Sequence, residues 1–416
     1  MLPEGWSRVA LHKIAEVRTG LAKGKRGLRD SVELPYLRVA NVQDGHFNLS
    51  EVKTIQVERS GIERYSLKPG DVLMTEGGDF DKLGRGAVWR APISPCLHQN
   101  HVFAVRPHPD QLDPDYLSAL SASEYGRTYF LGCAKRSTNL ASINSSQLKA
   151  FPVLLPPIRE QETIRTVLEV WDATIATSEK LLDNCRKRRS ALTSSLLSGK
   201  RRFGQLEGAW TYNDFDTVFK RVTRKNTTGN TNVLTISGQH GLINQRDFFN
   251  KSVASKNLTG YTLLERGEFA YNKSYSAGYP LGAIKPLLAY DSGVVSSLYL
   301  CFRIREDVNA DFDFFRHYFE AGFLDEEISG IAQEGARNHG LLNVSIPEFF
   351  KLRLHIPPAP VQRKIAEVLN VAEREERLCE LQLERLQIEK RALMQQLLTG
   401  KRRVRIPACD EEACPS

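Results

Sequence analysis

The chain has 416 residues, a formal net charge of +8, and 41% hydrophobic and 25% charged residues, a composition that excludes a wholly disordered protein. No apolar run reaches the roughly 18–20 residues that a membrane span needs, and the N-terminus lacks the features of a signal peptide. The seven cysteines form no CxxC pair, so we expect a cytoplasmic protein with free thiols and no metal site.

Residues 1–155 form the first predicted domain, in which short apolar strands alternate with turns and helical patches. A strand is predicted at Tyr36–Val39, and the turn Lys68–Asp71 introduces another. An aromatic helical stretch follows near residues 125–130, and a polar loop near residues 135–139 comes after it. This pattern predicts a mixed α/β domain.

A helical region follows at residues 156–202. The Pro156–Pro157 pair ends an extended stretch, and Gly199 with three basic residues after it marks the C-terminal end. Between these signals, mostly apolar residues recur at alternating spacings of four and three from Ile164 to Leu196. This repeat predicts a long coiled-coil helix of roughly 60 Å, at 1.5 Å per residue.

Residues 203–356 form a second predicted domain that echoes the first. Trp210 stands near its start, as Trp6 does in the first domain. A turn at Glu265–Glu268 again introduces an apolar strand, and an aromatic helical stretch again follows, here near residues 312–323. The order of the features predicts a second mixed α/β domain of similar size.

Residues 357–403 repeat the first helical region at a constant offset of 201 residues, and 17 of the 47 aligned residues are identical. The matched length and register indicate that the two helices pack against each other. Residues 404–416 are a short tail. We therefore predict an α+β fold, with two mixed α/β domains separated by two long helices in a pseudo-twofold internal repeat.

Polar and basic side chains of the kinds that read DNA fall in predicted loops of both domains. Arginine, asparagine and glutamine pair with base edges in the major groove, whereas lysine more often binds phosphate. A solvated loop or a structural turn explains any one of them better than DNA contact does, so their repetition in both domains is the stronger argument. The candidate DNA-binding residues are Lys25, Arg38, Asn41, Gln43, Lys82, Arg85, Asn100, Arg136, Asn139, Lys225, Gln239, His240, Asn272, Lys273, Tyr275, Arg337 and Asn338.

Motifs of known catalytic sites are missing. The sequence contains no GxxxxGK[ST] phosphate loop, no GxSxG turn and no HExxH pair. The Leu155–Ile158 stretch lacks the polar first residue and the aromatic fourth residue of the loop that handles the flipped base in amino-methylating DNA methyltransferases. Glu51 and Lys53, with Asp44 upstream, only faintly suggest a nuclease, so we predict no active site in this chain.

Taken together, these features resemble the specificity subunits of type I restriction-modification enzymes, and the resemblance covers essentially the whole chain. It rests on a combination of short motifs rather than on any single one. These are Leu2-Pro3-Glu4-Gly5-Trp6, Lys68-Pro69-Gly70-Asp71-Val72-Leu73, Pro-Pro-x-x-x-Gln at 156–161 and 357–362, Leu-Leu-x-Gly-Lys-Arg-Arg at both helix ends, Asn272-Lys273-Ser274 to Gly278-Tyr279-Pro280, and Gly293–Tyr299.

The resemblance implies that each domain is a target-recognition domain that reads one half of a split site in double-stranded DNA. The two helices would pair as an antiparallel coiled-coil rod that sets the spacer between the half-sites. They would also bind two modification (methyltransferase) subunits, and restriction (helicase-nuclease) subunits would join the complex. S-adenosylmethionine, ATP and magnesium would then be cofactors of the partner subunits, and this chain would bind none.

Four residues of the helical regions are candidates for partner binding. Gln161 and Gln362 lie at the two helix starts, and Arg189 and Lys390 interrupt the apolar seam, where a polar residue either fixes the register or faces a partner. One departure from the family pattern is Val361, where the first repeat has the usual glutamate. It bears on whether the two helix starts bind partners equivalently.

Two other functions remain open at this stage: a cryptic nuclease or methyltransferase, and a structural adaptor without DNA contact. The charge distribution bears on the DNA interpretation, because +7 of the net +8 lies in the two helical regions and the second domain carries −1. We therefore expect weak DNA binding by this chain alone. Either a local basic loop of the second domain binds the DNA, or partner subunits supply much of the contact to phosphate.

Overall fold

A computed structural model describes residues 2–23, 28–78, 83–84, 86–136, 141–201, 209–238, 240–249, 257–275, 278–334 and 342–405. The chain forms two compact units. Unit 1 comprises residues 1–179 and 381–416, and unit 2 comprises residues 180–380. Each unit therefore contains one predicted domain and a part of both helical regions.

Unit 1 is built on a four-stranded antiparallel sheet in the order β2-β9-β5-β7, with smaller sheets β4-β3-β8, β10-β11-β6 and β1-β12. Its strands are β1 (Ser7–Ala10), β2 (Ala15–Thr19), β3 (Ser31–Leu37), β4 (Lys53–Glu58), β5 (Val72–Thr75), β6 (Gly77–Gly78), β7 (Gly86–Val88), β8 (Leu97–His98), β9 (Val102–Pro107), β10 (Lys135–Arg136), β11 (Ala141–Ser142) and β12 (Pro152–Leu155). Its short helices are α1 (Ile62–Tyr65), α2 (Pro114–Ala122), α3 (Glu124–Cys133) and α4 (Ser145–Lys149), with 3-10 turns at Leu11–Lys13, Val39–Asn41 and Arg59–Gly61.

Unit 2 repeats this architecture. A four-stranded antiparallel sheet has the order β14-β21-β18-β19, and the pairs β13-β24, β15-β16, β17-β20 and β22-β23 complete the described strands. The strands are β13 (Thr211–Asp214), β14 (Phe219–Arg221), β15 (Leu234–Ser237), β16 (Gly241–Asn244), β17 (Thr262–Glu265), β18 (Phe269–Asn272), β19 (Ala283–Pro286), β20 (Ser292–Val295), β21 (Leu300–Ile304), β22 (Gln333–Glu334), β23 (Leu342–Asn343) and β24 (Arg353–Ile356). The short helices are α6 (Phe215–Val218), α7 (Gln245–Phe249), α8 (Phe312–Glu320), α9 (Asp325–Ile331) and α10 (Ile346–Phe349).

The two helical regions form the long helices α5 (Ile158–Leu197) and α11 (Ala359–Leu397). In unit 1, Lys390 of α11 forms an ion pair with Asp172 of α5. In unit 2, the thiol sulfurs of Cys185 and Cys379 lie 3.6 Å apart. Within each unit, an earlier part of one helix thus contacts a later part of the other, so the pairing is antiparallel. The predicted fold class is confirmed.

Side chains of both long helices complete the core of each unit. Leu168 of α5 and Leu397 of α11 are buried in unit 1, and Leu196 of α5 and Leu369 of α11 are buried in unit 2. Complete burial of such a side chain contributes roughly 1.5–3 kcal/mol, so the helices are integral parts of the units. Among the helices of the described residues, none is long and apolar enough to cross a membrane.

Candidate nucleic-acid interface

A buried carboxylate fixes the turn that introduces the central strand of each sheet. In unit 1, Asp71 accepts a hydrogen bond from the Lys68 amide at 2.8 Å and two from the Arg106 guanidinium at 2.7 and 2.8 Å. This contact raises the pKa of Arg106. In unit 2, Glu268 likewise accepts from the Glu265 amide, at 2.9 Å, and pairs with Arg224. Both turns are therefore held by ionic contacts to the sheet.

The first group of candidate DNA contacts, Arg38, Asn41 and Gln43, lies just after β3. The Asn41 side chain is buried, accepts a hydrogen bond from the Arg38 amide, and donates to the Asn48 and Glu51 carbonyls, all at 2.9 Å. These bonds use both ends of the amide, so we correct Asn41 from a base contact to a residue that shapes the loop. They also explain why β3 ends at Leu37, two residues before the predicted end.

Arg38 and Gln43 remain candidates at the surface of this loop. The Arg38 side chain is 19% exposed and lies 3.7 Å from the Glu51 carboxylate, and its Nε has no hydrogen-bond partner among the described residues. Gln43 donates from its side chain to the Ala40 carbonyl at 2.8 Å, which leaves its Oε1 free of any described hydrogen bond. Both side chains can thus still offer polar atoms to DNA.

The other candidates of the first domain are only partly described. Asn100 lies beside His101, whose ring pairs with Glu76. Arg136 lies in β10, which pairs with β11 and, through it, with β6, so its backbone belongs to a small three-stranded sheet. Outside the described residues lie Lys25, Lys82, Arg85 and Asn139.

In the second domain, the structure brings two candidate loops together around a lysine that the sequence did not single out. The buried Lys285 ammonium donates to the Gly238 carbonyl at 2.9 Å and to the Tyr279 hydroxyl at 2.7 Å, and it pairs with Glu320. Gly238 lies in the turn of His240, and Tyr279 follows the loop of Tyr275. The only hint in the sequence was a lysine within an otherwise apolar strand.

Three candidates of the second domain are exposed, and two more are half-buried. Tyr275 is 65% exposed, and His240 is exposed on the neighbouring turn. The half-buried Asn272 accepts from the Ser274 amide at 3.2 Å, with Lys273 between them. Lys225 is exposed and donates to the Gly260 carbonyl at 3.0 Å. Outside the described residues lie Gln239, Arg337 and Asn338.

The glutamines at the two helix starts are buried, which changes their assignment. Gln161 accepts from the Asp113 amide and donates to the Gln111 and Pro156 carbonyls, all at 2.9 Å. Gln362 accepts from the Asp311 amide at 2.9 Å and donates to the Pro357 carbonyl at 2.8 Å. With these bonds made inside a core, we correct both from partner-binding residues to residues that join a helix start to its domain.

The seam residues Arg189 and Lys390 also have partners within the chain. Arg189 pairs with Glu376 in unit 2, and Lys390 pairs with Asp172 in unit 1. Of the two roles left open for them, these pairs favour the one that fixes the register of the helices. Their binding to a partner stays a prediction.

Comparison with known proteins finds a match to one family model. The family model described as the type I restriction modification DNA specificity domain matches residues 3–184, which contain the first domain and part of α5. The match covers less than half of the chain, so residues 3–184 are similar to that specificity domain.

Two relatives in the specificity family are a putative MjaX specificity subunit of Methanocaldococcus jannaschii and the EcoKI specificity subunit of Escherichia coli. The first is 27% identical over 199 residues, 47% of this chain and 46% of the relative. The second is 28% identical over 199 residues, 47% of this chain and 42% of the relative. The chain thus matches less than half the length of either relative.

A solved structure of the specificity family extends the likeness in fold to nearly the whole chain. The HsdS subunit of Thermoanaerobacter tengcongensis has a TM-score of 0.53 and 14% identity, over 96% of this chain and 98% of that chain. At this identity the likeness concerns the fold alone. It covers both units and both long helices.

Proposed function

We propose that this chain is the sequence-specific DNA-recognition subunit of a type I restriction-modification complex. The observation that carries the proposal is the repetition of one domain architecture, with the same sheet order, on two paired helices. In a chain similar to specificity subunits, two such domains suit the reading of two half-sites, because the separation of half-sites follows the geometry of the protein.

Each domain would read its half-site through polar side chains at the loops described above. Arg38 and Gln43 in the first domain, and His240, Asn272 and Tyr275 in the second, keep polar atoms at or near the surface. A good bidentate contact to a base is worth about 1–3 kcal/mol of discrimination, so a few such contacts suffice for a short half-site.

The remaining assignments form part of the same proposal. The chain would be non-catalytic and cytoplasmic, with target-recognition domains at residues 1–155 and 203–356 and helical spacer regions at 156–202 and 357–403. It would bind two modification subunits and, through the complex, restriction subunits. S-adenosylmethionine, ATP and magnesium would serve those partners. Among the described residues, no cluster of three or more histidine, cysteine or carboxylate side chains could hold a metal ion.

The proposal is tested by co-expressing the full chain with a modification subunit in a methylation-free host and mapping methylated bases across the genome. We expect one bipartite motif that depends on this chain. Tyr275→Ala should relax only the half-site read by the second domain, and Gln43→Ala only the other half-site. If no bipartite motif depends on the chain, the proposal is wrong.

A further inference from the structure

The two units differ at one matched place, where the helix after the four-stranded sheet faces a long helix. The helices α2 and α8 are capped at their N-terminal ends by Asp113 and Asp311, whose carboxylates accept from the Tyr116 and Phe314 amides. The amides of these two aspartates in turn donate to Gln161 and Gln362. Because the bonds are the same, residues counted from these points are structural equivalents.

In unit 2, Arg316 occupies this place and is bonded to side chains of both α8 and α11. The Arg316 guanidinium is bonded to Asp313 at 3.0 Å, to Glu373 at 3.0 and 2.8 Å, and to Asn370 at 2.7 Å. His317 is buried beside it and contacts the same Asn370 oxygen at 2.8 Å. Helix α8 is therefore joined to α11 by a continuous polar network.

In unit 1, the equivalents of Arg316 and His317 are Ser118 and Ala119, and the place is an open groove. The groove has a volume of about 1120 Å³ and lies between α2 and α3 on one side and α5 and α11 on the other. Asp115 and Asp172, the equivalents of Asp313 and Glu373, both line it. Both carboxylates are thus present, but each pairs with a separate cation, Arg90 or Lys390, and the equivalent of Arg316, which would contact both, is Ser118.

The carboxylates of the groove have partners that an incoming cation can replace. Asp115 is bound at 2.6 Å by Arg90, whose side chain is 62% exposed. Asp172, whose side chain is also 62% exposed, pairs with Lys390. In each pair the other side chain is mostly buried, with Asp115 23% and Lys390 20% exposed. A guanidinium held between two carboxylates makes several charge-assisted bonds at once and can therefore compete with such a single ion pair.

We propose that the groove of unit 1 receives an arginine side chain of the modification subunit, placed between Asp115 and Asp172 as Arg316 is placed between Asp313 and Glu373. The inference rests on the proposed function, which supplies the partner. Unit 2 fills the equivalent place with its own arginine. The two repeats therefore bind their modification subunits through different contacts, and only the contact in unit 1 uses this groove.

The proposal is tested with the full chain and its purified modification subunit, by native mass spectrometry and by titration. Ser118→Arg supplies the missing guanidinium from the chain itself, and we expect it to weaken binding of one modification subunit at least tenfold, so that the complex falls from two modification subunits to one. Asp172→Asn removes one exposed carboxylate without filling the groove and should weaken the same step. Ser146→Arg, on the exposed side of α4, adds the same charge elsewhere and should leave both subunits bound.

The outcomes separate this proposal from the proposed function. If the unchanged chain binds no modification subunit, the proposed function is wrong and this inference falls with it. If the unchanged chain binds two, and Ser118→Arg and Asp172→Asn also bind two with unchanged affinity, the groove is not the contact and the proposed function stands.

Discussion

The starts of α5 and α11 share a buried glutamine and differ at the residue before it. Gln161 and Gln362 each accept a hydrogen bond from the backbone amide of the aspartate that caps the neighbouring helix. Before them, the fully buried Glu160 accepts from the Trp6 indole at 3.2 Å and from Arg403 at 2.8 and 3.1 Å, whereas Val361 packs in the apolar core of unit 2.

The difference separates what the fold requires from what it tolerates. A buried backbone amide needs an acceptor in both repeats, so the glutamine is present in both. An ion pair at the neighbouring position has an apolar alternative, because well-packed apolar groups stabilise a core as well as a buried pair does. In unit 1, the pair additionally connects the end of α11 to the start of α5.

The glutamines provide the largest expected effect. Gln161→Leu leaves the Asp113 amide and two carbonyls without partners, and we expect it to destabilise unit 1 by about 3 kcal/mol. Gln362→Leu should lower the free energy of unfolding of unit 2 by less, because the Gln362 amide nitrogen donates to one carbonyl instead of two. Urea unfolding of the full chain measures both.

Gln56→Leu on β4 is the matched control, since Gln56 is exposed, and it should change stability by less than about 0.5 kcal/mol. A loss below about 1 kcal/mol for Gln161→Leu would mean that water or another side chain satisfies the amide. The shared glutamine would then not be the structural requirement inferred here.

A covalent cross-link sharpens the comparison of the helix pairs. Cys185 and Cys379 face each other in unit 2, whereas their equivalents in unit 1 are Leu386 and Ser178. Oxidised glutathione should convert the two thiols to one disulfide, releasing two molecules of reduced glutathione. The disulfide should stabilise unit 2 by about 2 kcal/mol, at the low end of the usual range because the sulfurs must approach.

Peptide mapping under non-reducing conditions detects this cross-link, and Cys185→Ser removes it. Burial raises the pKa of the Cys379 thiol, so its thiolate population, and with it the rate, should rise as the pH is raised from 7 to 9. Glutathione adducts without an internal disulfide would contradict the antiparallel register.

Replacing Glu160 by valine, the residue at the equivalent position 361, tests whether the ion pair between Glu160 and Arg403 is required for stability. Glu160→Val should destabilise unit 1, mainly because the buried Trp6 indole N–H loses its acceptor, at about 1–2 kcal/mol. Glu160→Gln keeps an acceptor and should recover part of the loss in thermal unfolding. Equal losses for both variants would show that the charge, rather than the hydrogen bond to Trp6, is what matters.

The repeats also show how far the sequence could predict the structure. The helices could be predicted because their heptads repeat at one constant offset and need only local periodicity. The roles of Gln161 and Lys285 could not, because one partner of each, Asp113 for Gln161 and Gly238 for Lys285, lies more than 45 residues away along the chain. The equivalence of Ser118 and Arg316 could not be predicted either, because the two domains align only after the helix caps are matched.

The smallest effect expected is a pH dependence that distinguishes the two repeats at His317, whose equivalent is Ala119. Burial, and next the neighbouring Arg316, lower the pKa of His317, so the folded state keeps the imidazole neutral. The unfolded state binds a proton below its ordinary pKa of about 6.5, so stability is full above that value and falls as the pH drops through it. Asp313 and Glu373, which also face this histidine, have lowered pKa values and lose their contribution only at still lower pH.

His317→Gln removes the titrating group and should make the loss of stability of unit 2 between pH 7 and pH 5 smaller. Thermal unfolding at a series of pH values measures this difference. Between pH 7.5 and 8.5 the imidazole is neutral in both states, so the variant and the unchanged chain should have the same slope there. If the slopes of the variant and the unchanged chain also agree between pH 7 and 5, His317 binds a proton in the folded state as readily as in the unfolded state. The polar network around Arg316 would then be more accessible than its contacts indicate.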